Sequence, residues 1–495
     1  MSNVNSVIIV GGGTAGWLSA LYLQKQLSRF GNAPSIEVFD SSEQGIIGVG
    51  EATVHSIRYF LQELDLSESD FMSATNATYK LGIKFENWRK PVNGQTHTYW
   101  HPFDAQLAKV SGFDVSEIWN YARLHGAKGV YDQQASISPT LAEAGRSPKL
   151  AGSTDFESPI PYAYHFDAAK AAEFFKSQAL NRGVKHQTST ITKVDVERSN
   201  ITALHTNTDS YTADFYLDCS GFTQLLISQL KSDNWHSYEQ DLPCNRAVAI
   251  QTDYKDGQTA NLYTRSIALN EGWCWQIHLQ SRIGNGYVYD GNRLSKEQAE
   301  TELRQFLNID TDIPAKHLAM KIGRNQSSWV GNCVAIGLSG GFIEPLESTG
   351  IYLIEAALRR LMDFGLVTQA DESQRSAFND FMANLYDELR DFIVLHYCLT
   401  NRDDTEFWRS RPDVLSQLPK LNQLVSLANQ QLIGDRDIGP QACLFNQINY
   451  RFVLLGMDCL PKTYHPAMSG LQLEQAEQLL NQLTAFYQSQ VLKHQ

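Results

Sequence analysis

The 495-residue chain has only 7 cysteines. They stand at positions 219, 244, 274, 333, 398, 443 and 459, scattered and with no Cys-x-x-Cys pair. That pattern excludes a disulfide framework and a zinc cluster, and it fits a reduced, cytoplasmic protein. No apolar run approaches the roughly 20 residues of a membrane span, so no membrane partner is expected. The N-terminus lacks a basic segment ahead of an apolar stretch, which argues against a signal peptide. Positive charge is in deficit: 41 Lys and Arg face 54 Asp and Glu, a net charge of −13. Such a chain is a poor ligand for nucleic acid or an anionic surface. Repeats, low-complexity tracts and Pro/Gly-rich linkers are missing, and no metal is expected. The length exceeds one average domain, so two or three units, or one interleaved fold, are expected.

What the chain does have is a glycine-rich turn with informative flanks. Ser6-Val-Ile-Ile-Val10 reads as a strand that runs into Gly11-Gly-Gly13-Thr14-Ala15-Gly16. Gly11 permits the tight turn, Gly13 lets backbone approach a pyrophosphate, and Gly16 lets the following helix pack on the strand. The helix beginning near Thr14 offers free N–H groups to phosphate. A second apolar strand, Ser35-Ile-Glu-Val-Phe39, ends in Asp40, at the spacing of a ribose-binding acid. An ordinary strand–helix turn can carry the same glycines; the flanking strands favour a dinucleotide site. One fingerprint, not two, suggests FAD without a separate NAD(P)H domain. The stretch Gly45-Ile-Ile-Gly48-Val49-Gly50-Glu51-Ala52-Thr53 suggests further close backbone approach to a ligand. Apolar strands ending in Asp218-Cys-Ser-Gly221 and in Ile336-Gly337 lead into turns suited to more cofactor contacts.

Elsewhere a helix is expected over Asp167–Arg182, strands near 185–205 and over 211–218, and an antiparallel sheet over 245–290. A helix should run to about Phe364, with Ser348 or Thr349 at its N-cap. Residues 370–495 read as mainly helical.

In order, and over about residues 5–460, several stretches resemble the flavin-dependent halogenases of the tryptophan-halogenase type. They are Gly11-Gly-Gly-Thr-Ala-Gly-Trp17, Gly48-Val-Gly-Glu-Ala-Thr53, Tyr79-Lys80-Leu-Gly-Ile-Lys84-Phe-Glu-Asn-Trp88, His101-Pro-Phe103, Tyr162-Ala-Tyr-His-Phe-Asp167, Asp218-Cys-Ser-Gly-Phe222, Gly272-Trp273-Cys-Trp275-Gln-Ile277 and Glu344-Pro-Leu-Glu347-Ser-Thr-Gly350. The Trp-x-Trp-x-Ile and Pro-Leu-Glu-Ser-Thr-Gly stretches together are specific. The resemblance implies an α/β fold: a Rossmann-like FAD-binding module of the flavin monooxygenase type, interleaved with an antiparallel sheet, plus a mainly helical C-terminal substrate-binding region. The expected segments are 1–90 and 161–232 for the FAD-binding module and 91–160 for a substrate-side insertion. The Trp-x-Trp-x-Ile sheet takes 233–330, an FAD- and halide-binding segment 331–365, and the helical region 366–495.

The resemblance also implies a chemistry. Reduced FAD from a separate, diffusively coupled flavin reductase reacts with oxygen. The flavin hydroperoxide oxidises halide, and hypohalous acid travels to an electron-rich aromatic substrate, an indole by preference. Lys80 and Glu347 would be catalytic. Lys80 would hold hypohalous acid or form a haloamine; alone, it would read as a surface lysine on a strand beside Lys84. Glu347 would orient the electrophile or take the proton from the ring, and Ser348 would support it. Thr349 and Gly350 would offer backbone N–H groups to halide at a helix start. His101, Phe103 and Tyr450 would flank the substrate. Trp273 and Trp275, two apart on a strand and hence on one face, would form a wall between flavin and substrate, although core packing is the commoner role of such a pair. The chain departs from the family pattern at His278, where proline is usual, and at Tyr450 and Leu454, which put free tryptophan in doubt as the substrate. A homodimer is compatible with the resemblance. The alternative enzyme is a flavin-dependent aromatic monooxygenase, and a non-catalytic flavin-binding protein is the reading from another class.

Overall fold

The structure, a computed structural model, describes residues 4–29, 31, 33–41, 50–105, 109, 112–364, 366, 371–439 and 444–494. It sorts into two compact units, each assembled from three stretches of chain. The first takes Met1–Ala77, His165–Asn245 and Ala319–Asp387; the second takes Thr78–Tyr164, Arg246–Leu318 and Glu388–Gln495.

The first unit is built on a six-stranded sheet in the order Trp329–Val330, Cys333–Ala335, Phe215–Asp218, Ser6–Val10, Ser35–Asp40, Lys185–Thr188. All pairings are parallel except the edge pair Trp329–Val330 with Cys333–Ala335. Parallel strands covered on both faces need apolar residues throughout, and Val7, Ile8, Ile9 and Val10 are all buried. The helices Thr14–Leu27 and Ala168–Asn181 pack on one another. The second begins where the sequence signals it: the Asp167 side chain accepts from the N–H groups of Ala169 (3.0 Å) and Lys170 (3.2 Å). The strand expected over 211–218 is split into Ser210–Tyr211 and Phe215–Asp218. Asp214 sits in the gap. Its carboxylate accepts from the Asn5 N–H (2.7 Å) and the Ser6 N–H (3.1 Å), which ties this bend to the start of the first strand.

The second unit contains a seven-stranded sheet. Six consecutive members are Arg246–Thr252, Ile283–Tyr289, Gly272–His278, Thr264–Ala268, Gly82–Glu86 and Thr98–Pro102. These pairings are antiparallel apart from Thr264–Ala268 with Gly82–Glu86. Trp273, Trp275 and Ile277 share one face of their strand by its two-residue period. A separate apolar cluster joins the helix Val115–Leu124 to Phe452 and Leu455 of the helix Gln447–Gly456 and to Ala476 and Leu480 of the helix Leu473–Gln490. Among the described residues no helix is long and apolar enough to cross a membrane.

Candidate active site

The first unit holds a cavity of about 770 Å³ at the C-terminal ends of its parallel strands, where open α/β sheets receive ligands. Gly11, Gly13, Thr14, Ala15, Asp40, Glu51, Gly337 and Gly350 all line it. The glycines have distinct reasons. Gly11 sits at φ +122°, and a Cβ there would meet the Cys219 carbonyl oxygen at 2.1 Å; a Cβ on Gly16 would meet the Gly11 oxygen at 1.8 Å. Gly12 gives room to Asp40, whose carboxyl carbon would lie 2.2 Å from an added Cβ. A Cβ on Gly13 would meet nothing within 4 Å, so its face is open. Gly13 is also the N-cap of the helix Thr14–Leu27, and no side chain caps that end. Its first N–H groups are therefore placed to receive an anion.

No Lys, Arg or His appears among the described residues that line the cavity, whereas Asp40, Glu51 and Glu173 do. A pyrophosphate held here would be met by backbone N–H groups rather than by cationic side chains. Burial pushes the Glu51 carboxyl up to about 7. Gly50, Glu51 and Ala52 form a short strand paired antiparallel with Asp167, Phe166 and His165. Gly48 and Val49 lie outside the described residues.

Asp218 acts one layer behind the cavity. One carboxylate oxygen accepts from the Ser220 N–H (3.0 Å), the Ser220 hydroxyl (2.6 Å) and the Ser339 hydroxyl (3.0 Å). The other accepts from the N–H groups of Leu226 (2.8 Å) and Ile227 (2.9 Å). A fully buried carboxylate needs such partners. Through them it fixes the turns that present Gly221, Phe222, Thr223, Gly337 and Leu338 to the cavity.

Glu347 ends the short 3₁₀ turn Pro345–Glu347 and is 1% exposed. Ser348 follows in the left-handed region, φ 59°, which is unfavourable for a non-glycine residue and recurs at functional sites. The helix Gly350–Phe364 then begins, with the Thr349 carbonyl accepting from the Leu353 N–H at 3.0 Å. Thr349 thus sits at the cap position anticipated for it or Ser348. One turn into this helix, Glu355 is also buried, and burial raises its carboxyl to about 8.

The second unit gathers the remaining residues. Lys80 ends the strand Thr78–Lys80 and is 0% exposed, so it is no surface lysine; Lys84 is the outer one, paired with Glu143 at 2.7 Å. The Lys80 ammonium stands 5.2 Å from the centre of the Phe103 ring. Backbone bonds hold the two together: the Leu81 carbonyl accepts from the Phe103 N–H at 3.3 Å, and the Leu81 N–H donates to Leu262 at 2.8 Å. Gly82 makes the approach possible, because a Cβ there would stand 2.8 Å from the His101 oxygen and from the Pro102 Cα.

His101 is buried and lies 5.5 Å from the Phe392 ring and 5.6 Å from Phe445. Phe392 and Phe445 stack at 4.0 Å, and Tyr450 meets Phe392 edge-on at 4.9 Å. Phe392, Phe445 and Asn449 have no sequence signal that joins them to His101. The nearest hint is the spacing of Asn446 and Asn449, a helix-capping pair. The Asn449 oxygen accepts from the Asn446 N–H (3.0 Å), so its nitrogen is the atom facing His101 Nε2 at 2.9 Å. An amide nitrogen only donates. His101 Nε2 is therefore the accepting partner of this contact.

Trp273 and Trp275 are both buried, with ring centres 6.2 Å apart. His278 closes their strand. Its carbonyl accepts from the Thr78 hydroxyl at 2.6 Å, two residues before Lys80, and its Nε2 faces the Asn261 amide nitrogen at 3.3 Å. Burial, then Arg265, lowers this imidazole to about 4.

The tryptophan halogenase family profile matches residues 6–472. The tryptophan 6-halogenase SttH of Streptomyces toxytricini is 36% identical over 497 residues, covering 94% of this chain and 92% of that protein. Its crystal structure matches with a TM-score of 0.90 over 100% of this chain and 98% of that one. The 7-chloro-L-tryptophan 6-halogenase KtzR of Kutzneria sp. (strain 744) is 40% identical, covering 81% of each chain. BrvH, a flavin-dependent halogenase from Brevundimonas sp. BAL3, matches with a TM-score of 0.89 at 31% identity, over 100% of this chain and 97% of that one.

Proposed function

The chain belongs to the tryptophan halogenase family, and on that premise we propose that it uses reduced FAD, oxygen and halide to halogenate an indole. Reduced flavin with oxygen supplies the oxidant for halide; reduced FAD comes from a separate flavin reductase. The glycine turn at Gly11–Gly16 and the uncapped helix start hold the pyrophosphate, and Asp40 takes the ribose. Asp218 keeps the surrounding turns in place. The N–H groups of Thr349 and Gly350 hold the halide at the start of the helix Gly350–Phe364. The Lys80 ammonium donates a hydrogen bond to the oxygen of hypohalous acid and orients it, so that the halogen passes to the ring carbon and the oxygen leaves as water. Glu347, with Ser348 beside it, balances the cationic ring and takes its proton. His101, Phe103 and Tyr450 hold the aromatic plane, and Trp273 with Trp275 separates flavin from substrate.

The observation that carries this reading is Lys80: a fully buried lysine beside an aromatic ring. Lysine is rarely buried to this extent, and burying an ammonium costs several kcal/mol. The test is mass spectrometry of products from the purified chain with FAD, a flavin reductase, NADH and oxygen, offered indole with and without bromide. A product with the bromine isotope doublet, dependent on bromide and on the reductase, is expected. A hydroxylated indole formed without halide would replace this reading with a flavin-dependent monooxygenase.

A further inference from the structure

Trp275 owes its position to a neighbour that has no side chain. The strand Ile283–Tyr289 is buried along its whole length, yet Asn285-Gly286 stands at its middle, a pair that ordinarily marks a turn. A glycine inside a strand weakens it and often marks a close approach. The backbone does not ask for glycine here, since Gly286 is not at positive φ. Space does. A Cβ on Gly286 would stand 1.9 Å from Cζ2, 2.2 Å from Cε2 and 2.3 Å from Cη2 of Trp275. The indole leans across onto the neighbouring strand, and its six-membered ring fills the place of the missing Cβ.

The register shows why only one of the two tryptophans can do this. Ser266, Trp275, Gly286 and Ala249 lie opposite one another across four antiparallel strands, and residues so paired share a face of the sheet. Gly286 and then Ala249 leave the indole room on one side. Trp273 stands one row on, between Ala268 and Val288, and the Val288 side chain holds the place that Gly286 leaves open. The two ring planes meet at 61°.

We infer that Gly286 is the positioning residue of the tryptophan wall: it seats the Trp275 indole against the sheet, and this seat decides whether halogen or oxygen reaches the substrate. The inference rests on the reading that Trp273 and Trp275 separate flavin from substrate. Oxygenation would place one atom of O2 on the indole and release the other as water, balanced by two electrons from NADH carried by the flavin, with no halide consumed. A methyl group at Gly286 turns the indole off its seat and opens that route.

The test compares the full-length chain with Gly286→Ala, Trp275→Phe and the double variant. Circular dichroism reads the wall itself, because indoles with centres 6.2 Å apart couple as an exciton pair; Trp88 and Trp408, 5.5 Å apart, contribute equally in every variant. Gly286→Ala is expected to lose the couplet that Trp275→Phe loses. In urea the double variant should lose less stability than the two single variants summed, because phenylalanine lacks the atoms that clash. With FAD, a flavin reductase, NADH, oxygen, bromide and indole, Gly286→Ala should raise the ratio of oxygenated to brominated indole at least about tenfold, with FAD affinity unchanged. An unchanged couplet, or an unchanged product ratio beside a lost couplet, would overturn the inference. A lost couplet in a series where even the wild type halogenates nothing would leave the seat standing and sink the halogenase reading instead.

Discussion

The two units solve recognition in opposite ways. The first surrounds its cavity with glycines and backbone N–H groups, lines it with three acids and brings no basic side chain to it among the described residues. The second buries a lysine beside an aromatic ring and assembles its cluster from side chains far apart in sequence. Backbone recognition is suited to a phosphate that always looks the same. Side-chain recognition is suited to a substrate whose identity can drift while the chemistry stays. Changes in the first unit should therefore act on cofactor binding and folding. Changes in the second should act on product and specificity.

The largest expected effect tests the exception, an acid of the first unit assigned to chemistry. Glu347→Gln keeps shape and removes the base. Turnover should fall roughly 10²- to 10⁴-fold, with FAD affinity unchanged. A variant that lost FAD instead would make Glu347 a cofactor-binding residue and contradict its catalytic assignment. Next comes the glycine turn. A Cβ on Gly16 meets backbone oxygen at 1.8 Å, and such overpacking costs about 3 kcal/mol; urea unfolding of Gly16→Ala should show that loss.

His278 gives an effect of similar size that depends on pH. Its folded pKa of about 4 lies below the ordinary 6.5, so at neutral pH both states are uncharged. As pH falls below 6.5 the unfolded chain takes up the proton first and stability is lost, approaching about 3 kcal/mol near pH 4. His278→Gln should remove that share of the acid sensitivity between pH 7 and pH 4.5. Equal acid sensitivity in both proteins would mean that the imidazole is accessible in the native state. The smallest effect sharpens the contrast within one motif. Gly13→Ala has open space for its Cβ. It should leave unfolding unchanged yet weaken FAD by about tenfold, or 1.4 kcal/mol, in a fluorescence titration.

The same contrast explains what could be read from the chain before its fold was known. The turn at Gly11–Gly16, the strands on either side and the acid at Asp40 are contiguous, because backbone geometry is encoded locally. The capping Asp167 and the alternation of Trp273 and Trp275 are legible for that reason too. Lys80 is not: three residues of strand ending in lysine look like a surface edge, and only the resemblance of the whole stretch singles it out. Asp218 is expected from the sequence as a cofactor contact; its place as the hub of five hydrogen bonds behind the cavity is not legible, since Ser339 arrives from 121 residues away. Phe392, Phe445 and Asn449 are hidden for the same cause. Asn449 reaches His101 across 348 residues, and no local rule links a capping asparagine to a distant imidazole. The strand expected over 211–218 is interrupted at the bend that holds Asp214, whose bonds to Asn5 and Ser6 span more than 200 residues and leave no local signal.

The most direct test of the division between the units is Lys80→Ala read two ways. FAD titration should give an affinity within about twofold of the wild type, because the proposed nucleotide contacts lie in the first unit. Halogenated indole, measured by mass spectrometry with a flavin reductase, NADH, oxygen and bromide, should fall at least about 10²-fold. Halogenated product at close to the wild-type rate would contradict the account.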